Sequence, residues 1–155
     1  MNLDKLIDLL NEDLSREYSH WHFYMQAATS VTGLHREELG EFFLEEAAGE
    51  MKHIEEFKRL LNGLLSRRQI NKSVTTKVAD FKNNLSCPEE ILEEALRMEE
   101  EVVSKYVARI EDASKLQENE GEDKIDGKYI ELFLEDQILD SRSDADNIRM
   151  MIKKS

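Results

Sequence analysis

The sequence predicts an all-α fold, a four-helix bundle of two antiparallel helix hairpins joined by a long crossover. Three observations lead there. One Pro and six Gly in 155 residues, with 35 % charged side chains, leave few chain breakers and favour long helices with solvated outer faces. Four stretches place apolar residues at helical spacing. The connections between them run short, long, short, so one segment travels the bundle's length between two hairpins. The length suits one core, and the whole chain, 1–155, is expected to form a single domain.

The first helix is expected from about Leu3 to Thr32, with Leu3, Leu6, Leu10, Leu14, Glu17, Trp21, Tyr24, Ala28 and Val31 on one stripe. Gly33 ends it. The second runs from about Arg36 to Leu65, with Leu39, Phe43, Ala47, Glu50, Ile54, Phe57, Leu61 and Leu64 inward. Ser66 to Cys87 is polar, with scattered Ile70, Val74, Val78, Phe81 and Leu85, and reads as the crossover, packed lightly along the outside. Ser86-Cys87-Pro88-Glu89-Glu90 is a helix start, with a Ser to cap, Pro in the first turn and Glu at the positive dipole end. The third helix continues to about Leu116, with Leu92, Ala95, Glu99, Val102, Tyr106, Ile110 and Ala113 inward. Gln117 to Lys128 is an acidic, Gly-containing stretch without an apolar run and reads as a loop. The fourth helix spans about Tyr129 to Ile152, with Ile130, Phe133, Gln137, Ser141, Ala145 and Ile148 inward.

A formal net charge of −13 argues against nucleic acid or an anionic membrane surface as partner. No run of about 18 apolar residues is present, so no membrane span is expected. The start, Met1-Asn2-Leu3-Asp4-Lys5, lacks the layout of a signal peptide. The single cysteine, Cys87, excludes an internal disulfide and a CxxC knuckle, which suits a cytoplasmic chain.

Each stripe is interrupted by polar residues. Glu50 and His53, three apart on a helix, share one face and can reach the same metal ion. A carboxylate among core positions is costly unless it is paired, hydrogen-bonded or bound to a cation. Glu17, Glu99, and Gln137 with Asp140 repeat the anomaly, each near the middle of its helix. In a bundle the four converge at one depth. Oxygen-rich ligands with one or two imidazoles suit Fe(II), Mn(II) or Zn(II). A shared carboxylate would hold two such ions roughly 3.5–4 Å apart. Taken singly, Glu17 is better explained by the edge of a stripe, and Glu99 by the solvated run Glu99-Glu100-Glu101. Their alignment, together with the resemblance described next, favours the metal.

Leu10-Asn11-Glu12-Asp13-Leu14-Ser15-Arg16-Glu17, Tyr24, and Glu46-Ala47-Ala48-Gly49-Glu50-Met51-Lys52-His53 resemble bacterial ferritins and bacterioferritins. The resemblance implies a ferritin-like bundle holding a di-iron centre. Glu17 would be a terminal ligand of the first iron, Glu50 would bridge, His53 would bind the first iron and Glu99 the second. Tyr24 would hydrogen-bond beside the centre or donate an electron. Leu134-Glu135-Asp136-Gln137-Ile138-Leu139-Asp140 is similar to the ferritin pattern Glu-Glu-Gln-x-x-Glu, with Asp140 one methylene short and Asp144 as a substitute. The implied activity is ferroxidase, with Fe(II) oxidised by O2 or peroxide and stored in a homo-oligomeric hollow cage, 24 subunits favoured. Glu50, His53, Glu17, Glu99 and Tyr24 would carry the reaction, and it should fall below the histidine pKa near about 6.5.

The chain departs from the family in three ways. Asp140 replaces Glu. Ala48 and Gly49 stand where many bacterial ferritins are acidic. Too few residues follow Asp140 to finish the fourth helix and add a fifth. Met51 matches a haem ligand of bacterioferritin, but non-haem ferritins share it, and haem is not expected. His20 forms a second Glu-x-x-His with Glu17, but neither bacterial ferritin pattern has a ligand there, so it is read as a surface or inter-subunit residue with metal binding as the lesser alternative. His22 and His35 are read as exposed, and Trp21 and Tyr106 as core or interface aromatics. Two other classes stay open. One is a ferritin-like di-metal oxidase or peroxide-consuming enzyme that stores no mineral. The other is a metal-free scaffold whose polar residues set register.

Overall fold

The computed structural model describes residues 1–153, all in helices or their connections. The described residues form four helices: α1 (Leu3–Ser30), α2 (Arg36–Arg67), α3 (Pro88–Leu116) and α4 (Glu122–Ile152). Among the described residues there is no strand and no fifth helix.

Packing fixes the direction of each helix. Leu6, Leu10 and Leu14 at the start of α1 share a core with Phe57, Leu61 and Leu64 at the end of α2. Tyr106, Ala113 and Leu116 from the end of α3 and Ile130 and Leu134 from early α4 complete that core. The opposite end gathers Phe23, Tyr24 and Ala27 of α1, Phe43 and Ala47 of α2, Ile91 and Ala95 of α3, and Ile148 of α4. Hence α1 and α4 run one way and α2 and α3 the other, in two antiparallel hairpins. Two apolar cores remain, one at each end, and a polar layer lies between them.

Local chemistry explains the helix ends. Asn2 caps α1, its Oδ1 accepting from the Lys5 N–H at 2.8 Å, which satisfies one of the orphan donors of the first turn. The first helix stops at Ser30, short of Thr32, and Val31 turns out of it into extended backbone while staying fully buried. Gly33, at φ +104°, makes the turn that L side chains resist. Ser86 does not cap α3 with its side chain. Its carbonyl instead accepts from both the N–H (2.9 Å) and Oγ1 (3.0 Å) of Thr32, tying the first turn to the end of the crossover.

The crossover lies along α1 and is stitched to it. The Thr75 N–H donates to Asn11 Oδ1 (2.9 Å), Asn11 Nδ2 donates to the Ser73 carbonyl (3.2 Å), and the Ala79 N–H reaches the Ser15 carbonyl (3.1 Å). Ile70 and Val74 pack on the first core, Phe81 and Leu85 on the second.

The largest departure from the sequence reading is α4, which begins at Glu122 rather than Tyr129. The segment read as a loop is helix held by charge and close packing, to which apolar periodicity is blind. Glu122 and Asp123 sit in the first turn, against the positive end of the dipole. Arg68 bridges Asp123 (2.6 Å) and the buried Asp126 (2.7 Å), and Arg67 adds a second hold on Asp126. Gly127 lets α4 press against α3: a Cβ there would lie 2.6 Å from Gln117 Cγ and 2.8 Å from the Ala113 carbonyl oxygen. The helix stripes also shift. Ile7, Phe23 and Ala27 are buried, whereas Trp21, Ala28, Leu39, Ile110 and Phe133 are only half-buried.

Two glycines give a paired test. Gly127→Ala gains helix propensity of about 1 kcal/mol but overpacks at a cost of about 1–3 kcal/mol. It is expected to lower the urea midpoint. Gly63, with open space around it, should behave oppositely, and Gly63→Ala is expected to raise the midpoint.

Candidate metal centre

The polar layer is built from one or more residues of every helix. Glu17 and His20 come from α1, Glu50 and His53 from α2, Glu99 from α3 and Gln137 from α4, all at most 5 % exposed. Their presence at one depth follows from the antiparallel hairpins, which bring the middles of all four helices together.

The structure brings Glu17, Glu50 and His53 together, with ligating atoms within 4.8 Å of one another. His53 Nδ1 faces both carboxylates, 3.4 Å from Glu50 Oε2 and 3.6 Å from Glu17 Oε2. A second group, equally close, joins Glu50 to His20 and Glu99, and a third joins Glu99 to Glu46 and Asp144. Glu50 is thus common to two groups and Glu99 to two.

Around these groups lie side chains that hold them. Tyr106 donates its hydroxyl to Glu17 Oε1, and Tyr24 donates to Glu99 Oε1 at 2.9 Å. One turn before Glu17, fully buried Asp13 is gripped by Arg109 through Nε (2.8 Å) and Nη2 (3.1 Å), a bidentate pair, with Arg16 on its other side. Two expected ligands lie apart from the groups. Gln137 turns its amide nitrogen onto Glu56 Oε2 at 2.7 Å. Asp140 stands against the far nitrogen of His53, with Oδ2 3.3 Å from Nε2, and its side chain is 54 % exposed. It occupies the place of a carboxylate that orients a ligating imidazole. Asp144, not Asp140, is the α4 carboxylate beside Glu99.

Several buried atoms lack any hydrogen-bond partner: Glu17 Oε2, Glu99 Oε2 and Gln137 Oε1. Orphaned buried carboxylate oxygens are costly. Oxygens of this kind beside an imidazole are the donor set that borderline divalent cations take, so the residues fit a metal pair. Without a cation, protons do the compensating. Burial and the neighbouring Glu17 push the Glu50 carboxyl well above its usual range, and burial with the Asp144 charge does the same to Glu99. Burial alone would lower His53, yet Glu17 and Glu50 override it and raise the imidazole to about 12. Burial would raise Glu17, but Glu50 and His53 hold it down at about 2. Burial beside Asp144 raises Glu46 to about 7.

His20 departs from the sequence reading. It is buried in the monomer, and Tyr106 is a hydrogen-bond donor to the cluster rather than a purely apolar neighbour. His22 is half-buried and stacks on Phe81 at 6.0 Å, whereas His35 is exposed. The buried line of α1 runs Glu17, His20, Tyr24, Ala27, Val31, equally helical in spacing to the one drawn through Trp21 and Ala28. That alternative line, together with the Glu17-x-x-His20 spacing, is the signal for His20 in the sequence. Glu46 and Asp144, only half-buried, had none in the apolar pattern.

Fold and cluster define a class: four-helix bundles with a carboxylate–histidine cluster at mid-depth. Within it, the chain belongs to the ferritin-like domain family, whose model matches residues 7–137. The chain is similar to a solved structure of ferritin-like, diiron-carboxylate proteins from Bacillus anthracis str. Ames, at 26 % identity and TM-score 0.78, covering 99 % of this chain and 100 % of that one. Iron-soaked structures of PmFTN variants share the fold, at TM-score 0.72 and 19 % identity, over 96 % of this chain and 87 % of theirs. Among curated proteins nothing matches. No helix among the described residues is long and apolar enough to cross a membrane.

Two measurements follow. Because His53, raised to about 12 by Glu17 and Glu50, holds a proton at neutral pH, a divalent cation must displace it. Zn(II) binding at pH 7 should release protons, visible as a heat that changes with the ionisation enthalpy of the buffer. Affinity should keep rising with pH through neutrality, rather than levelling off above the free imidazole value of about 6.5. A buffer-independent heat would contradict this. Separately, Arg109→Met removes the bidentate partner of buried Asp13 and leaves only Arg16 on it. It should destabilise the protein at neutral pH in urea unfolding, by less than the roughly 3–5 kcal/mol of a fully unpaired buried charge.

Proposed function

We propose that this protein is a ferroxidase-type ferritin that oxidises Fe(II) to Fe(III) at a carboxylate-bridged di-iron centre and deposits it in a homo-oligomeric shell. One observation carries this reading: buried Glu50 belongs both to the Glu17–His53 group and to the Glu99 group, the position of a bridging ligand. Family membership and the likeness to diiron-carboxylate proteins support it.

Fe(II) is the substrate, and two ions each give one electron to O2 or peroxide. Glu17, Glu50 and His53 bind the first, and Glu50 and Glu99 the second. Glu46 and Asp144, beside Glu99, offer further oxygens on that side. Ionised carboxylates stabilise the higher charge of Fe(III) and so favour loss of the electron. Tyr24, kept protonated by burial and by the Glu99 charge, holds Glu99 in place through its hydroxyl. Tyr106 does the same for Glu17. As iron binds, the proton on His53 Nδ1 passes to solvent, while Asp140, more than half exposed, holds the other ring nitrogen, Nε2. The net charge of −13 draws cations toward the protein.

The test is aerobic Fe(II) addition at rising iron-to-chain ratios, following oxidation and the iron that co-elutes on a sizing column. The expected result is a fast phase saturating at about two irons per chain, the occupancy of a two-metal site, followed by further accumulation on a large particle. Accumulation that stops with the fast phase would leave a di-iron oxidase without storage. Glu50→Ala is expected to abolish the fast phase, since both ions lose a ligand, and unchanged kinetics in that variant would sink the assignment.

A further inference from the structure

We propose that His20 is the nitrogen ligand of the second metal position, so that each metal of the pair is held by an imidazole. The inference rests on the two-metal reading above and extends it. In ferritin-like di-iron proteins the known template is Glu-x-x-His on two helices with a Glu on each of the other two. Here α4 carries no such motif, and its mid-depth residue is Gln137, occupied with Glu56. The second motif is on α1 instead, as Glu17-x-x-His20.

Geometry joins this motif to the centre. His20 is 5 % exposed, on the buried line of α1 one turn beyond Glu17. A ring nitrogen of His20 lies within 4.8 Å of ligating oxygens of both Glu50 and Glu99, as close a group as Glu17, Glu50 and His53. Glu99 carries a buried oxygen, Oε2, with no hydrogen-bond partner, on a side chain 1 % exposed. Its other oxygen is already committed to Tyr24. A cation shared by His20, Glu50 and Glu99 would give that oxygen a partner. His20 also borders a cleft of about 50 Å³ between α1, α3 and the crossover, lined by Arg16, Phe81, Arg97 and Glu101 as well. With one nitrogen per ion, both positions should favour Fe(II), Co(II) and Zn(II) over Mn(II).

Anaerobic Co(II) titration followed by proton NMR tests this, since each cobalt-bound imidazole gives a strongly shifted, solvent-exchangeable N–H resonance. The wild-type protein should show two such resonances at saturation. His20→Ala should keep the one from His53, lose the other, and weaken the second Co(II) by at least about tenfold, the loss typical even of an outer-shell partner. A single shifted resonance in the wild-type protein overturns the assignment of His20, and does so even if His20→Ala fails to fold. If two Co(II) still bind in that case, the two-metal reading survives. If no Co(II) binds tightly, both fall.

Discussion

The structure is organised around the cost of burying charge at mid-depth. Glu17, Glu50 and Glu99 are each no more than 2 % exposed, and three carboxylates in a water-excluded interior cannot all be ionised without nearby positive charge. This layer divides what would be one continuous apolar interior into two end cores. Each end is an ordinary helix-packing problem solved by Leu, Ile and Phe. The middle has to be solved by cations, whether protons, guanidinium groups or metal.

The supporting contacts show how the burden is distributed. Arg109 and Arg16 pair with Asp13 directly below the cluster and offset part of the cost of its burial. Tyr106 and Tyr24 each donate to one oxygen of a carboxylate and leave the other open. Such a hydroxyl sets the rotamer of its glutamate without neutralising it, which keeps the free oxygen aimed inward. Asp140 acts on the imidazole from the solvent side in the same manner. Held carboxylates with unsatisfied oxygens form a site with its geometry in place before any ligand arrives, the arrangement that limits reorganisation on binding.

Much of this was legible in the sequence. The bundle and the crossover follow from apolar spacing, and the meeting of Glu17, Glu50, His53 and Glu99 from the shared mid-helix position of these polar interruptions together with the family resemblance. What was not legible shares one physical origin. The first turns of α4 are held by Arg67, Arg68, Asp123 and Asp126 and by the close approach at Gly127, none of which registers as apolar periodicity. His20 was displaced in the reading by Trp21, since the more apolar of two neighbours was assigned to the stripe while the backbone buries the other. Asp140 and Asp144 lie a turn apart on one helix, and their division of labour depends on how α4 rotates against α2 and α3. That rotation is set by tertiary packing.

The direction of the helices has an electrical consequence. Two run up and two run down, and the cluster sits at mid-depth, several turns from every terminus, where the partial charges of helix ends have faded. Opposed dipoles leave no net axial field there for an ion to feel. Backbone architecture, so often used to receive anions or cations at a helix end, is silent at this point. The potential at the centre is written by a handful of side chains, and each one exchanged between Asp, Glu, Gln and His shifts it by a discrete step. The bundle can therefore be retuned for a different ion or redox poise by substitution at those few positions, with both apolar ends left untouched.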